Sequence, residues 1–191
     1  MSKVIYNMSM SLDGFVRAKG YTPAAPLGIG GEKVHEWFFA EDRTNQQFVE
    51  RMLNSIGAVV SGRTTYDDSG WGADGPTGPK RLPTFVVTHK APAPLPENGV
   101  YTFVTGGIVE AVKAATEAAK GKDVSIMGGP RVGTQALAAG IFDEVVVSIV
   151  PVLFGDGLPM FQSLPKQVQL ERTSVIDTKD AIHLVYQVLG R

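Results

Sequence analysis

The chain has 191 residues, enough to bury one full core without a disulfide or metal staple. Eighteen basic against nineteen acidic residues leave a formal net charge of −1, which excludes nucleic-acid binding through a broad cationic footprint. The absence of cysteine excludes disulfides, thiolate catalysis and cysteine-ligated metal centres. Its apolar stretches fall short of the roughly 18 residues of a membrane span, so the expectation is a cytoplasmic protein with no membrane contact.

Lys3–Ser9 (KVIYNMS) is a short β-prone run that sets the N-terminus inside a sheet. Met10–Gly31 holds Gly14, Gly20, Pro23, Pro26, Gly28, Gly30 and Gly31, too many breakers for a regular element, and reads as a long functional loop. Glu32–Asn54 carries Trp37, Phe38, Phe48, Met52 and Leu53 at roughly helical spacing and predicts a helix with a break near Asp42. Ala58–Ser61, Pro83–Thr88 and Val100–Val104 read as strands, the last two separated by the proline-rich Ala91–Gly99. Ile108–Lys120 places Ile108, Val112 and Ala115 on one face and stops at Gly121. Val124–Met127 is a strand, Arg131–Ala139 a helix ended by Gly140, and Glu144–Val150 an apolar strand. Val168–Ile176 and Ala181–Leu189 alternate strongly and close the chain as a hairpin about Asp177–Asp180. This order predicts one α/β domain over residues 1–191, its sheet parallel inside and antiparallel at the C-terminal end.

Two glycine patterns have different contexts. Gly70–Gly75 matches G-x-G-x-x-G, yet it follows Asp67-Asp68-Ser69 and runs into Pro76, without the strand before and helix after that a dinucleotide fingerprint needs. Ser125-Ile-Met-Gly128-Gly129-Pro130-Arg131 does leave a strand and enter a helix, so a phosphate can approach its backbone and first-turn amides. A tight β–α turn without a ligand has the same spacing. At Ser61-Gly62-Arg63-Thr64-Thr65, Arg63 offers a forked phosphate contact and the threonines add hydroxyls; the alternative is a cap with a surface arginine. Thr88-His89-Lys90 puts hydroxyl, imidazole and ammonium at a third strand end. In open α/β sheets ligands sit outside the carboxyl ends of strands, and three such ends together point to a nucleotide with several phosphates. Gly106-Gly107 is a fourth junction, read as a cap near the same ligand.

Asp13-Gly14 is a turn dipeptide, and beside a nucleotide its carboxylate could also orient a substrate. His35 has no second ligand at helical spacing and His183 falls on the polar face of an alternating strand, so no metal site is expected. Neither a G-x-S-x-G elbow nor a phosphate-loop motif is present. Trp37, Phe38 and Phe39 read either as core or as an apolar wall for a flat heteroaromatic ring, with Trp37 the substrate-facing candidate.

Ser9–Phe15 (SMSLDGF), Ser61–Asp67 (SGRTTYD), Val86–Lys90 (VVTHK), Gly128–Arg131 (GGPR), Asp143-Glu144 and Val150–Gly157 (VPVLFGDG), in this order, span nearly the whole chain. The set resembles the dihydrofolate reductase-like family that includes the reductase domain of the bifunctional riboflavin-biosynthesis deaminase/reductase. The resemblance implies a three-layer α/β/α fold around a mixed sheet, NADPH along the strand ends, hydride transfer to a small pterin- or pyrimidine-like substrate, and a homodimer. It implies that Gly62, Arg63, Thr64 and Thr65 hold cofactor phosphates, with Arg63 the candidate for the 2′-phosphate. Thr88 and His89 would flank the adenosine end, and Gly128, Gly129, Pro130, Arg131 and Val132 would contact the pyrophosphate. Met10 would lie beside the nicotinamide, and Asp13 would face the substrate as the candidate catalytic residue, for orientation or proton delivery. The chain departs from the pattern at Met127, where riboflavin-type reductases carry a glutamate for the pyrimidine. Glu32, Glu36 and Glu41 lie near the expected folate-type acid, but none sits in its motif. A stand-alone reductase-like unit is the expectation, with two alternatives: the same fold binding a nucleotide without turnover, and a flavin-using reductase.

Overall fold

The computed structural model describes residues 2–95 and 97–190. The chain runs β1 (Val4–Ser11), β2 (Phe15–Ala18), a 3₁₀ segment (Gly31–Phe39), α1 (Arg43–Ser55), β3 (Ile56–Gly62) and α2 (Arg63–Ser69). There follow β4 (Thr84–Val87), β5 (Tyr101–Val104), α3 (Ile108–Ala118), β6 (Asp123–Met127), α4 (Pro130–Ala138) and β7 (Glu144–Val150). A short β8 (Gly157–Pro159) and the hairpin β9 (Leu170–Asp177) and β10 (Ile182–Val188) complete it. Eight strands form one sheet in the order β5-β4-β3-β6-β1-β7-β10-β9, and β2 pairs with β8 in a separate two-stranded sheet.

Pairing is parallel from β5 through β7 and antiparallel from β7 through β10 to β9. This is the mixed sheet with an antiparallel end that the periodicity predicts. The parallel strands are covered on both faces, so they read as near-continuous apolar runs. Alternation in β7 divides the core: Val145 and Val147 join Tyr6, Val60, Ile126 and the inner faces of α3 and α4, whereas Val146 and Val150 join Val34, Trp37 and Phe48. Helix layers thus lie on opposite faces of the sheet, giving a three-layer α/β/α arrangement.

Four expectations are corrected. Met10–Gly31 is not one loop: β1 continues to Ser11, and Phe15–Ala18 forms a strand because it finds β8, itself too short to be seen in sequence. The predicted 32–54 helix breaks at Asp42 as expected, and the correction is to the kind of helix on its N-terminal side. Its first part winds as 3₁₀, and a new helix starts after Asp42, whose carboxylate caps the Asn45 amide at 2.8 Å. The 108–120 helix ends at Ala118, three residues before Gly121. His183 is not on a solvated face: it is fully buried, with Ser148 Oγ 2.8 Å from Nδ1 and Asn45 Oδ1 2.9 Å from Nε2, stacked on Phe48. The amide oxygen can only accept, so Nε2 carries the proton and the Ser148 hydroxyl donates to Nδ1.

Candidate functional site

The carboxyl ends of the six parallel strands lie along one edge, and five of them, β5, β4, β3, β6 and β1, bear on the predicted site. Register pairs Asn7 and Ser61 with Met127, Gly62 with Val87, and Val87 with Val104, and the Thr88 amide continues the ladder to the Val104 carbonyl at 3.0 Å. The sequence-predicted junctions after β3, β4, β5 and β6 therefore lie side by side.

Two of them are interlocked. A Cβ added to Gly62 would come within 2.8 Å of Val132 Cγ2, and one added to Gly128 would collide with the Thr65 side chain. The start of α2 thus packs directly on the start of α4, and glycine is required there by protein against protein. Gly129 differs: its φ is +79° and a Cβ there would make only ordinary contacts, beyond 3.5 Å. α4 opens with Pro130, has no side-chain cap, and leaves the amides of Arg131 and Val132 without intrahelical acceptors. This uncapped turn, with room above Gly129 for more than a hydrogen, has the chemistry of an anion cradle.

The neighbouring junctions add cationic and hydroxyl donors. Arg63 Nε donates to both Asp67 carboxylate oxygens, at 2.7 and 2.8 Å, and Nη1 to the Lys90 carbonyl at 3.0 Å. The Thr88 hydroxyl donates to that same carbonyl at 2.8 Å. Arg63 is thereby held at the β3 and β4 ends with its Nη2 group unengaged among the described residues. Thr64, His89 and Arg131 are exposed along this edge, Thr65 and Met10 half-buried.

Met10 and Asp13 lie where β1 leaves the sheet. The Asp13 carboxylate accepts from the Ser11 hydroxyl at 2.6 Å and from the amides of Phe154 and Gly155 at 3.1 and 2.7 Å. The Ser11 hydroxyl first, and the two amides beside it, hold this carboxyl below the usual carboxylate range. Asp13 thus braces the turn after β1 against the loop after β7 and stays ionised at neutral pH. Trp37 is 4% exposed, with its Nε1 donating to Ser9 Oγ at 2.9 Å and its ring edge-on to His183. It belongs to the core, and of the three predicted wall aromatics only Phe39 is largely exposed.

A model of the RibD C-terminal domain matches residues 2–184. The chain belongs to the RibD C-terminal domain family. The Bacillus subtilis protein YwjB is 26% identical over 184 residues, 96% of this chain and 97% of that protein. The chain is similar in fold to a Shewanella sp. PV-4 protein assigned to riboflavin biosynthesis, with TM-score 0.75, 21% identity, and coverage of 98% of this chain and 99% of that one. Similarity extends to Enterococcus faecalis dihydrofolate reductase complexed with NADP(H), with TM-score 0.59, 16% identity, and coverage of 98% and 97%. The mixed sheet with its helix layers is therefore a dihydrofolate reductase-like fold.

Sequence reasoning missed two contacts at the strand-end edge. One is the Ser9–Trp37 bond. The other is an ion pair of Arg17, on β2, with Asp68, on α2, at 3.0 Å. Neither carries a local signal, because the partners are 28 and 51 residues apart. Among the described residues, no group of three or more His, Asp or Glu side chains is placed to hold a metal ion.

Proposed function

We propose that this RibD-type chain is an NADPH-dependent reductase that passes a hydride to an electron-poor carbon of a small pterin- or pyrimidine-like heterocycle. The observation that carries the reading is the convergence of Arg63, Thr65, Thr88 and the uncapped Gly129–Val132 turn on adjacent strand ends. Together the turn's backbone amides, the Thr65 hydroxyl and the Arg63 guanidinium face several phosphates at once, while the Thr88 hydroxyl, given to the Lys90 carbonyl, braces the Arg63 end. NADPH supplies the hydride chemistry when bound. Gly128 to Val132 receive the pyrophosphate, and Thr88 and His89 flank the adenosine end. Arg63 presents its free Nη2 to the 2′-phosphate. Met10 lies against the nicotinamide side, while Asp13, fixed as an anion by its three donors, orients the substrate and holds the loop that excludes water. Because that carboxyl is ionised, it accepts rather than delivers a proton at neutral pH.

Met127, between Asn7 and Ser61 in register, replaces a carboxylate with a thioether flanked by neutral groups. This favours a heterocycle recognised through neutral hydrogen bonds over one whose amino-substituted ring requires an anion there. Titration with NADPH, NADH and FMN, followed by tryptophan fluorescence, tests the cofactor assignment. NADPH selectivity in the wild type that Arg63→Ala abolishes, by roughly tenfold or more, is the expected result. Equal losses for NADPH and NADH would remove Arg63 from the 2′-phosphate, and binding of FMN alone would make the enzyme a flavin reductase. A binder of NADPH that oxidises it with no pterin or aminopyrimidine would be a nucleotide-binding module instead.

A further inference from the structure

The Arg17–Asp68 pair joins the segment that follows β1 to the helix that follows β3, and those strands flank β6 on either side. Parallel neighbours lie about 4.8 Å apart, so the pair spans roughly 10 Å across the end of β6. Asp68 sits three residues beyond Thr65 on α2, on the same side of the helix, and Thr65 is the residue that stands against Gly128. The ion pair therefore runs beside the glycine turn that opens α4.

Both charges are largely withdrawn from water, with side-chain exposures of 14% for Arg17 and 26% for Asp68. A cation this deep is not left unpaired without cost. The β2 backbone is anchored, since Val16 and Ala18 are buried, so the movable part is the long Arg17 side chain. The same guanidinium already lies over the exposed Tyr21 ring, its Cζ 5.7 Å from the centroid, so the ring retains the cation while the carboxylate contact opens.

We propose that Arg17 and Asp68 form a side-chain bar across the strand-end crevice, which must part before a dinucleotide can reach the Gly128-Gly129 turn. The bar recloses behind the ligand and so sets the rate of cofactor exchange more than its affinity. This rests on the reductase reading above. It also separates Asp68, as a positioning residue, from Asp67 one residue earlier, which restrains Arg63.

Removing one charge alone would alter electrostatic steering of an anionic ligand, so the decisive variants conserve net charge. In stopped-flow measurements with NADPH, followed by tryptophan fluorescence, Arg17→Ala/Asp68→Ala is expected to raise both association and dissociation rates about tenfold, with Kd changed less than about threefold. The swapped pair Arg17→Asp/Asp68→Arg is expected to return both rates toward wild type. Rates in the neutral double variant within about twofold of wild type would overturn the gate, as would a change in Kd with unaltered dissociation. A ligand-free measurement keeps the two readings distinguishable. By NMR the Arg17 guanidinium should be restrained in the wild type and mobile in Asp68→Asn; equal mobility would overturn the bar. A wild-type chain that binds no dinucleotide would instead overturn the reductase reading, leaving the bar to be judged by the guanidinium signal.

Discussion

Asp13 shows how a short motif acquires its meaning from what folds onto it. In sequence it is half of a turn dipeptide; in the structure it accepts three hydrogen bonds, two of them from amides 141 and 142 residues away. Its carboxyl is held below the ordinary range, so the unfolded chain binds the proton more readily. The bracing therefore stabilises the fold above the usual carboxylate pKa and is lost as pH falls through the lower folded value. Asp13→Asn should lower the melting temperature at neutral pH, with the difference from wild type vanishing in acid; a difference that persists unchanged at pH 2 to 3 would contradict the assignment. With NADPH bound, Asp13→Asn should also reduce turnover with little effect on cofactor affinity, and full turnover would remove Asp13 from substrate orientation.

His183 titrates with the same sign for a different reason. Burial pushes its pKa down to about 4, so between about 6.5 and 4 the unfolded chain takes up a proton that the folded chain refuses. Stability should fall through that window, by an amount of order 3 kcal/mol in total. His183→Gln should flatten this part of the pH–stability curve while lowering stability at pH 7, and an unchanged acid slope would show that another group is responsible. The residue's role was not legible, because alternation assigns a strand residue to a face without revealing what covers that face. Here α1 and the 3₁₀ segment cover it and supply Asn45 and Trp37 as neighbours.

At the scale of elements, strands and helices with strong periodicity or clear punctuation were legible: β6, α4, β7 and the closing hairpin lie within a residue or two of their predicted bounds. What failed was either too short for periodicity or dependent on a distant partner, as with β2 and β8. The strand-end junctions were legible as chemistry, but the interlock between them was not, since Thr65 and Gly128 meet only through the β3–β6 register. That interlock is testable. Gly128→Ala places a Cβ against Thr65 at a φ of +75°, so it combines backbone strain with a clash and should cost about 2–4 kcal/mol. Thr65→Ala removes the two closest contacts, from Cγ2 and Oγ1, but leaves its Cβ 2.9 Å away and the backbone strain in place, so the double variant should recover part of the loss. Strict additivity of the two substitutions in denaturant unfolding would show that the turns do not bear on each other.

For the whole molecule, the two faces of the sheet are covered unequally. α3 and α4 lie against β3, β4 and β6, which leaves the β7–β10–β9 end of that face without a helix. Register brings Ile149, Ile182, Leu184 and Val175 together there, with Val175 50% and Ile182 43% exposed. An apolar strip on consecutive strands, ending in an edge strand, is a poor surface to leave in water. We propose that a second copy of the chain covers it, as the family resemblance implies. A two-fold pairing satisfies both copies with one self-complementary patch. A stable dimer needs upward of about 1,000 Å² buried in total, which this strip supplies only if its neighbours join it, so one charge at its centre should be decisive. Light scattering at micromolar concentration should give twice the 20.4 kDa chain mass, and Val175→Glu should shift the protein to monomer. An unchanged dimer in Val175→Glu would place the interface elsewhere, and a monomeric wild type would remove the dimer altogether. Because the strip adjoins β1 through the β1–β7 register Met10↔Ile149, the same variant should disturb cofactor binding only if dimerisation fixes the end of β1, which a parallel NADPH titration of the monomer would decide.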